Sequence, residues 1–164
     1  MRTITRVSAV LAAFLSLGAM PAVAQSANIT ATANVFQAIT VTGAQPLDFG
    51  NVFPGVAKTI GVAAATAGRF DLTGQSSAPV QLTFTLPTDL TSGANNLPIG
   101  TWTGCTNPTN TTTGCTTFTP SGTATGSAFG GAGNLFVWVG GTVSPAAAQA
   151  AGTYTGTVTL TANY

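Results

Sequence analysis

Past its first two dozen residues the chain has few groups able to do chemistry: Asp48, Asp71, Asp89, Lys58, Arg69, Cys105 and Cys115. There is no Glu and no His, which excludes Ser-His-Asp triads, imidazole acid–base chemistry and His-ligated metals. A serine nucleophile would need a base, and Lys58 is the only lysine, with no serine motif beside it. A two-carboxylate glycosidase would have to draw its pair from the three aspartates. Asp48 and Asp71 alternate with apolar neighbours, as solvent-facing strand residues do, and Asp89 follows Pro87-Thr88 in a turn-like context. No loop carries more than one carboxylate, too few for calcium. The expectation is a protein that is not an enzyme and holds no cofactor or metal.

Cys105 and Cys115 enclose nine residues, including Asn107, Pro108, Asn110 and a threonine run. That spacing does not suit a redox or metal pair, and an even, minimal count in an exported chain predicts a structural disulfide. The model of restricted chain entropy assigns so short a loop about 2–3 kcal/mol. Around it, residues 88–132 show little hydrophobic periodicity and read as a long loop region open to variable surface chemistry. Trp102, between Thr101 and Thr103, and Phe118 could offer a sugar-stacking platform there, although core or loop packing is the simpler reading of Trp102. Trp138 reads as core.

The elements that position these groups follow from composition. The 164 residues carry four Lys or Arg against three Asp, a formal net charge of +1, with 4% charged and 45% hydrophobic residues. A helical bundle lacks the charged face it would need, and four scattered basic residues make no nucleic-acid patch. Residues 1–24 read as a secretory signal peptide: Arg2 and Arg6, a short apolar run over 7–17, then Ala22-Val23-Ala24 as the cleavage site. The run falls short of the roughly 20 residues that span a bilayer. The chain is expected to mature at Gln25, without a transmembrane segment, and to pass through the periplasm to the cell surface or beyond.

After residue 24 the chain holds 29 Thr and 19 Gly. Threonine suits a pleated surface while presenting a hydroxyl, and glycine punctuates turns. Tyr154, Gly156, Val158, Leu160, Ala162 and Tyr164 alternate with Thr153, Thr155, Thr157, Thr159, Thr161 and Asn163, which predicts a strand with one apolar and one threonine face. Val80, Leu82, Phe84 and Leu86 alternate with Gln81, Thr83 and Thr85, predicting a second strand closed by Pro87. Phe70 and Leu72 mark a shorter one just before, with 74–79 as the turn. The continuous apolar run 135–139 predicts a central strand buried on both faces. Weaker strands are expected over 58–64 and 47–53. Short strands and Gly-rich turns together predict an all-β, immunoglobulin-like antiparallel sandwich.

Near the start of the expected mature chain, Ala27, Ile29, Ala31, Ala33 and Val35 alternate with Asn28, Thr30, Thr32 and Asn34, and the phase resumes at Ile39 and Val41. A strand of up to fifteen residues is more than one sandwich strand usually needs. It could be an edge strand of its own domain or a detachable strand that completes a neighbour's sheet. The expected organisation is a leader over 1–24, an N-terminal extension over 25–34 and a sandwich domain over 35–164.

The runs Leu47-Asp48-Phe49-Gly50-Asn51-Val52 and Gly152-Thr153-Tyr154-Thr155-Gly156-Thr157-Val158-Thr159-Leu160-Thr161-Ala162-Asn163-Tyr164 resemble a family of short secreted bacterial proteins similar to spore coat protein U-like subunits and to pilins of archaic chaperone–usher pathways. The resemblance implies a sandwich short of its last strand, filled first by a periplasmic chaperone and then by the next subunit's N-terminal extension. It implies a donor strand of Ala27, Ile29, Ala31, Ala33 and Val35, and an acceptor or chaperone-facing strand bearing Tyr154, Val158, Leu160, Ala162 and Tyr164. The partners implied are other copies or related subunits, a periplasmic chaperone and an outer-membrane usher. Two functions stay open: a structural subunit of a fimbrium-like surface polymer, and a self-contained secreted sandwich acting as an adhesin or carbohydrate-binding module.

Overall fold

Ten strands alternate with short turns in a computed structural model that describes residues 24–164. They are β1 (Thr40–Gln45), β2 (Lys58–Ile60), β3 (Gly68–Thr73), β4 (Pro79–Thr85), β5 (Asp89–Ser92), β6 (Asn95–Asn107), β7 (Thr116–Phe118), β8 (Thr125–Ala128), β9 (Asn134–Val143) and β10 (Thr159–Asn163). No helix occurs among the described residues, and so none is long and apolar enough to cross a membrane. The expected leader lies almost wholly outside the described residues.

The apolar run at 135–139 becomes the centre of the larger sheet, because a strand apolar on both faces is stable only where both faces are covered. β9 pairs antiparallel with β3 on one side, Leu72 opposite Leu135 and Phe70 opposite Val137. β2 continues along that side beyond β3, with Thr59 opposite Thr142 and their hydroxyls 2.8 Å apart. On its other side β9 pairs with β6, Cys105 opposite Trp138. The path across the sheet is β1-β3-β9-β6-β5, with β7 against the far end of β6. The second sheet is β10-β4-β8, in which Leu160 stands opposite Phe84 and Ala162 opposite Leu82. The result is the expected all-β antiparallel sandwich.

Leu72, Leu135, Val137 and Val139 from the larger sheet and Val80, Leu82, Phe84 and Leu160 from the smaller form one buried cluster, with Phe129. Each fully buried side chain of this kind contributes about 1.5–3 kcal/mol. Phe49, Ile60, Leu97, Ile99, Cys105, Trp138 and Val143 belong to a second cluster. Trp138 is therefore a core residue, as expected. Cys105 and Cys115 are joined, their Cα atoms 5.8 Å apart, which ties β6 to the turn before β7.

Several expected elements take another form. Residues 88–132 are not a loop region, since they supply β5, β6, β7 and β8, and β6 is the longest strand. The register of β6 against β9 slips between Gly100 and Thr103, where Thr101 takes φ 48°. One extra residue in β6 makes a β-bulge, which moves the inward phase from Leu97 and Ile99 to Trp102 and hides the periodicity. Residues 47–53 form no strand: Gly50 turns left-handed at φ 56°, and the Asp48 carboxylate accepts its N–H at 2.7 Å. The 58–64 strand stops at Ile60.

The two longest alternating runs are only partly in ladders. Residues 27–39 form no strand, and the ladder starts at Thr40. Of 154–164, only β10 is strand, and earlier in that run Thr155 alone bridges, to Thr91 of β5. Its apolar face still turns inward, for Leu160 is buried and Tyr154, Val158 and Ala162 are half-buried while every threonine is exposed.

Candidate functional site: an open seam between two edge strands

On one flank of the sandwich the two sheets end in β1 and β10, which lie against each other, and at their other ends in β5 and β8. β1 pairs with β3 alone, and β10 pairs with β4 alone. An unpaired edge presents free N–H and C=O groups in a row, which is a template for another strand.

The two edges meet at one end. There Ile39, Val41 and Ala162 pack against the first core cluster, which Val158 touches from the cavity lining. Tyr164 lies edge-on to Phe36, ring centres 5.1 Å apart, and 6.2 Å from the ring of Phe129. Its hydroxyl accepts the Gln75 N–H at 2.7 Å and donates to the Gln37 carbonyl. Gln37 N–H in turn reaches the Gln75 side-chain oxygen at 3.4 Å. Gly74 is obligatory under this cluster, because a Cβ there would fall 2.6 Å from the Phe129 ring and 2.8 Å from the Tyr164 oxygen.

Away from Tyr164 the sandwich opens. A cavity of about 1060 Å³ is bordered by residues 46–54, which follow β1, and by 149–158, which precede β10. Its floor is core material: Phe70 of β3, Leu97, Ile99 and Trp102 of β6, and Val139 and Val143 of β9. Trp102 packs against both clusters, and its ring lies over Gly141, where a Cβ would sit 3.2 Å from it. The bulge in β6 is what aims it there. Phe53 and Val56 stand exposed near this rim.

The far wall is loosely tied. Between 152 and 158 the backbone makes the two hydrogen bonds of the Thr155–Thr91 bridge, 2.8 and 3.0 Å. Gly156 sits against Leu90, where a Cβ would come within 2.7 Å of the Leu90 Cδ2. Tyr154 is braced by Gln149, whose amide donates to its hydroxyl at 2.7 Å.

Of the expected acceptor residues, Tyr154 and Val158 line the cavity, Leu160 and Ala162 belong to the closed end, and Tyr164 closes it. Ala27, Ile29, Ala31, Ala33 and Val35 are outside any strand, Ile29 95% and Val35 92% exposed. Phe118 is half-buried, 5.7 Å from Phe84 and packed on the first cluster, so it is no exposed platform. The charged groups have separate local partners. Asp71 pairs with Arg69 at 2.8 Å, Lys58 donates to the Asn51 carbonyl at 3.0 Å, and Asp89 accepts from the Thr88 hydroxyl at 3.2 Å. No group of three metal-capable side chains occurs among the described residues.

The cavity floor escaped the sequence reading. Its residues come from three strands, and only the β6 bulge puts Trp102 beside Ile99; the lone signal was a Trp inside a Thr-rich stretch. The floor of the cavity is apolar, and its lining carries two large aromatic rings, Trp102 and Tyr154.

A search of curated proteins finds no match to this chain. Residues 39–164 match the model of a family described as a domain of unknown function, DUF4402, and the chain belongs to that family.

Proposed function

We propose that the protein is a structural subunit of a cell-surface polymer, assembled when the N-terminal strand of one copy, carrying Ala27, Ile29, Ala31, Ala33 and Val35, completes the sandwich of the next. One observation carries the reading: an apolar core floor lies open between residues 46–54, just beyond β1, and residues 149–158, just ahead of β10, while an uncharged alternating segment of the same chain has no ladder of its own. The exchange of charge for threonine on the outer surface supports it. In this reading residues 1–24 direct export, and a periplasmic chaperone covers the open edge until an outer-membrane usher hands it to the next subunit.

Main-chain hydrogen bonds supply most of the affinity, at about 0.5–1.5 kcal/mol net each. The alanines bury little, so Ile29 and Val35 are the side-chain anchors, each giving up to about 1.5–3 kcal/mol. The test is Ile29→Asp. Heat-labile, SDS-resistant ladders are expected from the unaltered chain and not from the variant, with the unfolding midpoint of the domain unchanged. Ladders of equal strength in the variant would refute the reading.

Trp102 and Tyr154 on the cavity lining favour a second reading, a self-contained adhesin or carbohydrate-binding module in which sugars stack on those rings. It requires saccharide binding by a chain that stays monomeric.

A further inference from the structure

We propose that Tyr164 latches one end of the β1–β10 seam shut, so that the strand of a second copy docks only along residues 152–158 and turns them into a continuation of β10. The inference rests on the subunit reading above and specifies where its interface lies.

The latch is a closed ring of contacts. The Tyr164 hydroxyl takes the Gln75 N–H and gives its proton to the Gln37 carbonyl, while the Gln37 N–H returns to the Gln75 side chain. The Tyr164 ring lies edge-on against Phe36, and Gly74 leaves the space that Tyr164 and Phe129 need. These contacts join the chain just before β1 to the chain just after β10 and to the β3–β4 turn. A strand sliding between β1 and β10 at this end would have to displace Tyr164 and Phe36 and separate Ile39 and Val41 from Ala162, which share one cluster.

At the other end the opposite holds. Residues 153–158 keep the alternation of β10, with Tyr154 and Val158 inward and every threonine outward, yet their backbone is tied at one bridge. A stretch with strand pattern and almost no ladder is an unfilled half-site. The seven residues 152–158 span about 23 Å as strand, and residues 29–35, which carry both Ile29 and Val35, cover that length. That segment is the occupant: uncharged, strict in its alternation, and itself without a ladder.

The experiment uses hydrogen exchange on the whole chain carrying Ile29→Asp, so that it cannot donate its own strand, with and without a peptide of residues 25–38. In the chain with Tyr164, the peptide is expected to slow the amides of 153–158 and leave those of 161–163 unchanged. Tyr164→Phe keeps the ring and removes the hydroxyl, and the Gln75 amide should then exchange about fivefold faster, the worth of one hydrogen bond. With Tyr164→Ala, peptide protection should spread to 161–163. Protection of 161–163 by peptide while Tyr164 is present, or a Gln75 amide indifferent to Tyr164→Phe, overturns the latch. A peptide that protects nothing in any of the chains overturns the docking site and the subunit reading together, whereas the Gln75 result reports on the latch alone.

Discussion

β4 and residues 153–164 share one design, apolar side chains alternating with threonine or glutamine, but they stand in different company. β4 lies between β10 and β8, and Val80, Leu82 and Phe84 are buried in the first cluster. Residues 153–164 have a strand partner over β10 alone, on one side. Alternation therefore determines which face turns inward, which both stretches obey. Whether the backbone joins a ladder depends on what lies alongside, and along 153–158 only the Thr155–Thr91 bridge is made. A half-laddered strand over an apolar floor is the physical basis of the assembly proposal.

That contrast can be broken at its strong side first. Leu82→Ala removes a side chain fully buried between the sheets and should lower domain stability by about 2–5 kcal/mol, read from denaturant unfolding. Removing the disulfide, with Cys105→Ser and Cys115→Ser together, should cost about 2–3 kcal/mol by freeing the unfolded loop, measured the same way. The weak side should barely respond. Val158→Ala, at a half-buried position, should cost the isolated domain about 1 kcal/mol or less yet weaken assembly visibly on gels. Equal losses from Leu82→Ala and Val158→Ala would mean that the two stretches are equally well packed, and the contrast would fall.

The strands legible in the sequence are those whose pattern meets a matching environment. The run 135–139 is apolar throughout because β9 is covered on both faces, and Phe70-Asp71-Leu72 and the residues of β4 alternate because one face of each meets the core. β6 was illegible for a definite reason. Its bulge at Thr101 reverses the inward phase, and Gly104, Cys105, Thr106 and Asn107 are buried without forming an apolar pattern. The alternation at 47–53 placed Leu47 and Phe49 inward correctly, but Gly50 turns the chain before a ladder can form. In the candidate site, the alternation identified Tyr154 and Val158. The floor beneath them could not be read, because Phe70, Ile99, Trp102 and Val143 become neighbours only through long-range pairing around β9.

The most direct test of strand exchange is the oligomeric state of the chain, freed of residues 1–24, with and without residues 25–34. The account predicts heat-labile, SDS-resistant multimers from the complete chain and a folded monomer of unchanged unfolding midpoint from the shortened one. A complete chain that stays monomeric with no chaperone present, or a shortened chain that assembles as well as the complete one, would contradict it.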